Sequence, residues 1–479
     1  MKKLLALLLV CLMMLGVVAG CASDPAAPSA NPGTESAGES EPAESTGPKA
    51  PEDMTAEDWE NLKNETRSLT IELLPNTFTE ELWTLLVDGF KEDHPNWEVE
   101  LNLSAESAEN QQALILNGTP PVFFQPSADF SDTQALEADA LQSMEPLYDA
   151  PAYDEEGMTV RETLLPGQDK GSMKDGKSHV IPYRFGGNGF WYNAQMFEDN
   201  GWEEPVTYQE LLDLCAEIKA AGITPIMFTG TFAPYMFTDF IYPRMCALTD
   251  DPYQMCVDMA NLEDNSWTGP EAKQAIEEMN ELFELGYLPE EGLGTDYLLA
   301  QQMFFEGKAA MVLSGTWLES EMIDSIPEGF KFKFMASPVL ESRDDPRLIQ
   351  AFAGGFALCK GSGKEVEAME FIRYVLSNEF MKLYAEKMGE PVITQATAQL
   401  DTSKFTYAGL SIYETFKHEN TIILSNQAAA WYAEFYNNYC NGIIGTLVGN
   451  ETIDNLLPTT EAAMQEIKAD DDIVKYVLE

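Results

Sequence analysis

Histidine is nearly missing from this chain: His94, His179 and His418 are the only 3 in 479 residues. None stands in an H-E-x-x-H arrangement, so a zinc hydrolase has no ready ligand set. A G-x-S-x-G elbow, which would expose a nucleophilic serine, is absent too. Basic residues are scarce, with 28 Lys and Arg against 80 Asp and Glu, a net charge of −52 and a pI near 4.1. Such a surface repels polyanions and excludes nucleic acid as a partner. With so many carboxylates, pairs at a glycosidase-like spacing arise by chance and carry no information. There is no internal repeat and no C-x-x-C zinc pattern. The apolar run Leu4 to Val18 is short for a membrane span of about 20 residues.

That run is nonetheless informative. Lys2 and Lys3 precede it and Val18-Ala19-Gly20-Cys21 ends it, which resembles the lipobox of bacterial lipoproteins. The resemblance implies a signal peptide over 1–20, cleaved before a lipidated Cys21. Two acyl chains, at roughly 0.8 kcal/mol per buried CH₂, give lasting attachment to a membrane surface. Ala22 to Pro51 consists almost wholly of Ala, Ser, Pro, Gly, Glu and Thr, with no aromatic residue, and cannot bury enough apolar surface to order itself. A disordered tether over 21–66 would have an end-to-end distance of roughly 35 to 40 Å.

The remaining body is 45% hydrophobic and 11% aromatic by whole-chain composition; it folds, and its length suggests two or three domains. Its five cysteines, Cys215, Cys246, Cys256, Cys359 and Cys440, are an odd and scattered set, a poor disulfide framework. Cys215 shares an apolar helical stripe with Leu211, Leu212 and Ile218, which places it in a core. A bridge between Cys246 and Cys256 depends on geometry that sequence does not supply.

Period-two alternation of Leu69, Ile71 and Leu73 predicts a strand, and Thr79-Glu80-Glu81 then opens a helix with a stripe of Leu82, Leu85, Leu86 and Phe90. Trp97, Val99, Leu101 and Leu103 mark a second strand; after another short helix, Pro121-Val122-Phe123-Phe124 marks a third. This reads as βαβαβ with a parallel sheet. A capping box at Thr207-Tyr208-Gln209-Glu210 starts a helix that Gly222 closes, and Ile223 to Phe228 and Ala309 to Leu313 read as strands. The C-terminal third reads as mostly helical, including 366–377 and a long stretch around Trp431.

Gly171-Ser-Met-Lys-Asp-Gly176-Lys177-Ser178 has the spacing of a phosphate-binding loop. A working one opens a helix whose N-terminus holds the phosphate. Here Asp175-Gly176 reads as a hairpin turn, followed by a strand-like stretch that contains Pro182.

A family resemblance rests on an ordered series of segments: Ile181-Pro182-Tyr183, Gly189-Phe190-Trp191-Tyr192-Asn193, Phe197, Gly201, Pro205, Thr207 and Gly222-Ile223-Thr224-Pro225-Ile226. It continues with Phe305-Glu306-Gly307-Lys308-Ala309-Ala310-Met311, Gly315-Thr316-Trp317, Gly354-Gly355 and Glu367-Ala368-Met369-Glu370-Phe371-Ile372. The body resembles extracellular solute-binding proteins of ABC importers, in their sugar-binding, maltose-binding-protein-like branch. The resemblance implies an α/β, two-lobed periplasmic-binding-protein-like fold with discontinuous lobes joined by crossing strands that act as a hinge. The lobes would be 67–183 plus 356–408, and 184–355 plus 409–479. It implies a monomer without cofactor or metal that captures a carbohydrate and delivers it to ABC permease subunits from the outer face of the membrane.

Pyranose rings have apolar C–H faces and a rim of hydroxyls, so such a cleft needs flat rings and amides or carboxylates. Trp317, Trp431 and Tyr235 are the candidate platforms. Asn76, Gln125, Asp129, Arg184 and Asn188, at strand ends, are the candidate hydroxyl partners; Trp191 reads as core. The alternatives are a binder of another solute, such as a peptide, polyol phosphate or metal complex, and a secreted glycoside hydrolase.

Overall fold

The computed structural model describes residues 49–73, 79–104, 107–126, 132–165, 169, 173–174, 176–471, 473, 475 and 478. The first helix, Ala56–Asn61, begins in a capping box. The Thr55 hydroxyl accepts from the Asp58 N–H, and the Asp58 carboxylate accepts from the Thr55 N–H. It buries Trp59, with Leu62 after it, in the first apolar core. Ordered chain therefore begins ahead of residue 67, where composition alone ends the tether; the indole fastens it.

β1 (Arg67–Leu73) alternates as expected, with Leu69, Ile71 and Leu73 buried. Helix Glu80–Asp93 follows, capped by the Thr79 hydroxyl, but its buried face is Leu82, Trp83, Leu86, Val87 and Phe90. Leu85 stays 38% exposed, because the larger Trp83 takes the inward side. β2 (Trp97–Leu103) pairs with β1 in parallel, Arg67 opposite Trp97 and Leu73 opposite Leu103. β3 (Phe123–Phe124) departs from the expected parallel ladder, since it pairs antiparallel with a distant strand, Phe124 opposite Ala357. Pro120 and Pro121 lack amide donors, which leaves only two residues to pair. β4 (Met173–Lys174) and β5 (Lys177–Ser178) form a hairpin whose turn includes Gly176 at φ +72. β5 leads into another strand rather than into the helix that a phosphate loop opens.

The large sheet contains β6 (Val180–Asn193), β7 (Thr224–Met227), β8 (Ala309–Gly315), β9 (Phe332–Met335), β10 (Arg347–Leu358) and β11 (Thr421–Ser425). Its order is β11-β10-β6-β8-β7, with β3 on β10 and β9 on β6. β6 and β10 run antiparallel, with a register shift between Gly354 and Gly355. The rest of the C-terminal third is helical, and β11, parallel to β10, interrupts it.

Two main cores flank these long strands. The first gathers Ile71, Trp83, Phe90, Tyr183, Phe356 and Phe371. The second gathers Phe190, Leu211, Cys215, Phe237, Trp267, Leu348 and Tyr436. β6 thus leaves the first core after Tyr183 and enters the second by Phe190, while β10 makes the reverse passage between Leu348 and Phe356. A two-lobed α/β molecule results, with paired strands threading both lobes. Trp191 is fully buried in a third cluster with Phe304 and Phe334. His94 is fully buried, with Nε2 3.0 Å from Glu370 Oε1 and Nδ1 2.9 Å from the Phe90 carbonyl. No helix among the described residues is long and apolar enough to cross a membrane.

Candidate functional site

β8 is buried along its whole length and delivers Gly315, Thr316 and Trp317 at its C-terminal end, beside β6. The Trp317 ring lies over Gly315, where a Cβ would overlap the indole. Half-buried, it stands 5.9 Å from Tyr235 and 5.7 Å from Phe352, both tilted near 60°. Tyr235 meets Phe232 edge-on at 5.1 Å and Tyr297 at 6.2 Å. Phe232 and Tyr297 are each 36% exposed. Five rings thus run from the surface to crossing strand β10, where the Arg184 guanidinium lies 5.5 Å over Phe352. Ordinary packing seals its rings in; this series is left part-open along its length.

Polar groups underlie the rings. Asp239 is fully buried on a π-helical turn, Phe237–Ile241, a local geometry that recurs at functional sites. Its Oδ1 accepts from Asn188 Nδ2 at 2.7 Å and from the Thr238 hydroxyl at 3.0 Å, and its backbone carbonyl accepts from the Ser337 hydroxyl. Oδ2 has no partner. Burial pushes the Asp239 carboxyl well above the usual carboxylate range. Burial, then Glu321 and Asp239, push the Tyr235 phenol up, so it stays a donor. Glu321 accepts from Gln301 Nε2 at 2.8 Å, and burial raises its carboxyl.

At the crossing, Glu390 is fully buried and accepts from the Thr316 hydroxyl at 2.8 Å and from the Tyr384 hydroxyl. Arg184 Nη1 lies 3.6 Å from the same carboxylate. The Tyr183 hydroxyl accepts from Gln125 Nε2 at 2.7 Å, and burial pushes that phenol up to about 12.

The structure therefore gathers Trp317, Tyr235, Arg184 and Asn188 around the crossing strands, and Gln125 beside them on Tyr183. Trp431 is part-buried against the second core at the end of helix Ala428–Trp431, which approaches helix Asp132–Glu137. Asn76 and Asp129 lie outside the described residues. Sequence reasoning missed Phe352, Asp239, Phe232, Tyr297, Glu321 and Glu390. Only Asp239 left a signal, as an acid inside the apolar run Phe237-Thr238-Asp239-Phe240-Ile241. Among the described residues no group of three or more His, Cys, Asp or Glu could hold a metal ion.

Two lobes threaded by paired strands, with a part-open aromatic series beside those strands, form the architecture of a solute-binding protein. A family model described as bacterial extracellular solute-binding protein matches residues 86–408, and the chain belongs to that family. It is 26% identical over 350 residues to the diacetylchitobiose binding protein NgcE of Streptomyces coelicolor, covering 70% of this chain and 73% of that one. Among solved structures, it resembles a chitin oligosaccharide binding protein with a TM-score of 0.66 at 18% identity, covering 83% of this chain and 98% of that one. The GacH receptor of Streptomyces glaucescens, solved unliganded and with acarbose, also gives a TM-score of 0.66, at 16% identity, covering 84% of this chain and 98% of that one. At these identities the structural likeness establishes the fold.

Proposed function

We propose that the protein is the carbohydrate receptor of an ABC importer, binding a mono- or oligosaccharide between its lobes and catalysing nothing. The observation that carries this reading is the part-open series Tyr235, Trp317 and Phe352 over the Asp239 and Asn188 pair. Flat rings take the C–H faces of a sugar, while neutral donors and acceptors take its hydroxyls. Each face that buries about 100 Å² of apolar area contributes roughly 2 to 3 kcal/mol. Two or three such platforms approach the roughly 8 kcal/mol of a micromolar complex. The sugar-binding names of NgcE and the chitin oligosaccharide binder support the same class. Arg184 is engaged by Glu390, and the protein is strongly acidic, which disfavours an anionic solute.

The lobes are 67–183 plus 356–408, with 49–66 packed on the first, and 184–355 plus 409–479. Cys21 carries the lipid that holds a monomeric receptor at the outer face of the membrane, where it meets its permease. A calorimetric and thermal-shift panel of mono- and oligosaccharides tests the reading. A cognate sugar at 100 times its Kd adds about 2.7 kcal/mol of stability, binds one to one and is recovered unchanged. Stabilisation by a peptide, polyol phosphate or metal complex but by no sugar would refute it, as would cleaved glycan products.

A further inference from the structure

Five thiols of the body are buried, and one pair of them is close. Cys246 lies on helix Tyr242–Ala247 and Cys256 on helix Pro252–Ala260, with their Sγ atoms 4.0 Å apart in the second core. A covalent bond shortens such a separation to roughly 2.05 Å. The surroundings suit thiol chemistry. The Cys246 thiol, and after it the Tyr242 hydroxyl and the Ser425 backbone, hold Cys256 below the usual thiol range although burial opposes them, while burial pushes Cys246 up. Burial likewise pushes Cys359 up to about 12 and raises Cys215 and Cys440, and no second thiol stands beside these three among the described residues. Membership of an extracellular family puts the pair outside the reducing cytosol, where disulfides form and persist.

We infer that Cys246 and Cys256 are joined in a disulfide as the exported chain folds. The Cys256 thiolate attacks one sulfur of a small-molecule or protein disulfide, forming a mixed disulfide and releasing one thiolate. Cys246 then loses its proton and attacks the Cys256 sulfur, which closes the bridge and releases the second thiolate. The two cysteines give up two electrons and two protons; the co-reactant disulfide takes them as two thiols. The bond pins the two helices beneath Ser425, whose carbonyl accepts from the Tyr242 hydroxyl at 2.5 Å. Ser425 begins the short connection to helix Ala428–Trp431.

Refolding the full chain in a mixture of reduced and oxidised glutathione tests this. The product is denatured and alkylated with iodoacetamide without reductant, and its peptides are mapped after cleavage at Met255. The expected result is that peptides containing Cys246 and Cys256 are covalently linked and unalkylated, while Cys215, Cys359 and Cys440 are fully alkylated. Reduction of the folded protein should lower its thermal midpoint by about 4 °C, and the Cys246→Ala, Cys256→Ala double variant should show no such response. Full alkylation of both cysteines in the glutathione-refolded protein, or linkage of either to another cysteine, would overturn the inference. The mass measurement on the unmutated chain decides the matter even where the variant does not fold.

Discussion

Trp317→Ala removes the central ring of the series. The indole is part-buried, lies over Gly315 and stands against two rings, so in the complex the sugar face covers the part left open. Losing about 100 Å² of apolar contact costs roughly 2 to 3 kcal/mol, a weakening of about 30- to 150-fold at about 1.4 kcal/mol per decade. Titration calorimetry with the cognate sugar measures this directly, and thermal unfolding without ligand serves as the control. That control should fall by no more than a few degrees, because a part-exposed ring beside a glycine leaves little cavity in the core. Trp317→Phe keeps a flat apolar face and should retain most of the affinity. Unchanged affinity in the alanine variant, or collapse of the unliganded fold, would refute the assignment and make the indole a packing element.

Glu390→Gln leaves the Arg184 guanidinium, 15% exposed, without its carboxylate; urea unfolding should show a loss of about 2 to 4 kcal/mol. Adding Arg184→Met should recover much of it, and equal losses in the single and double variants would disprove the pairing. Asp239 has its carboxyl pushed far up by burial, so the folded state holds a proton that the unfolded state releases above its ordinary range near 3.8. Its contribution to stability is full below that range and is lost as pH rises towards the folded-state value. Asp239→Asn is neutral throughout, so its stability relative to the unmutated protein should improve as the pH rises from 4.5; a pH-independent gap would sink the raised carboxyl. Cys21→Ala should shift the protein from the membrane fraction to the medium or periplasm and abolish labelling with radioactive palmitate, and retention of either would remove the lipid anchor.

Local elements were legible wherever one periodicity or one cap decided them. Leu69, Ile71 and Leu73 announced β1, and the Thr207 capping box is present with both reciprocal hydrogen bonds. The pairing of β3 was not legible, because its partner Ala357 lies far along the chain and the prolines before it look the same in either ladder. The helix stripe was misjudged at Leu85 because period alone does not weigh the bulk of Trp83 against leucine. In the site, Trp317 stood in a recognisable Gly-Thr-Trp segment and Tyr235 followed a helix-opening proline. Phe352, Phe232 and Tyr297 join them only through tertiary packing, and a lone Glu390 among 80 acids is indistinguishable until Arg184, Thr316 and Tyr384 surround it.

The first core has a bearing on secretion. Leu69 and Trp83 share it with Phe356, Phe371, Met381 and Ala396, so a chain threading outward from its amino end carries the early half of that core long before the late half arrives. Closing a loop over so many residues is slow, and the two halves of that core meet only after Phe356 has emerged. The opening strands consequently reach their full burial only after most of the polypeptide has followed them.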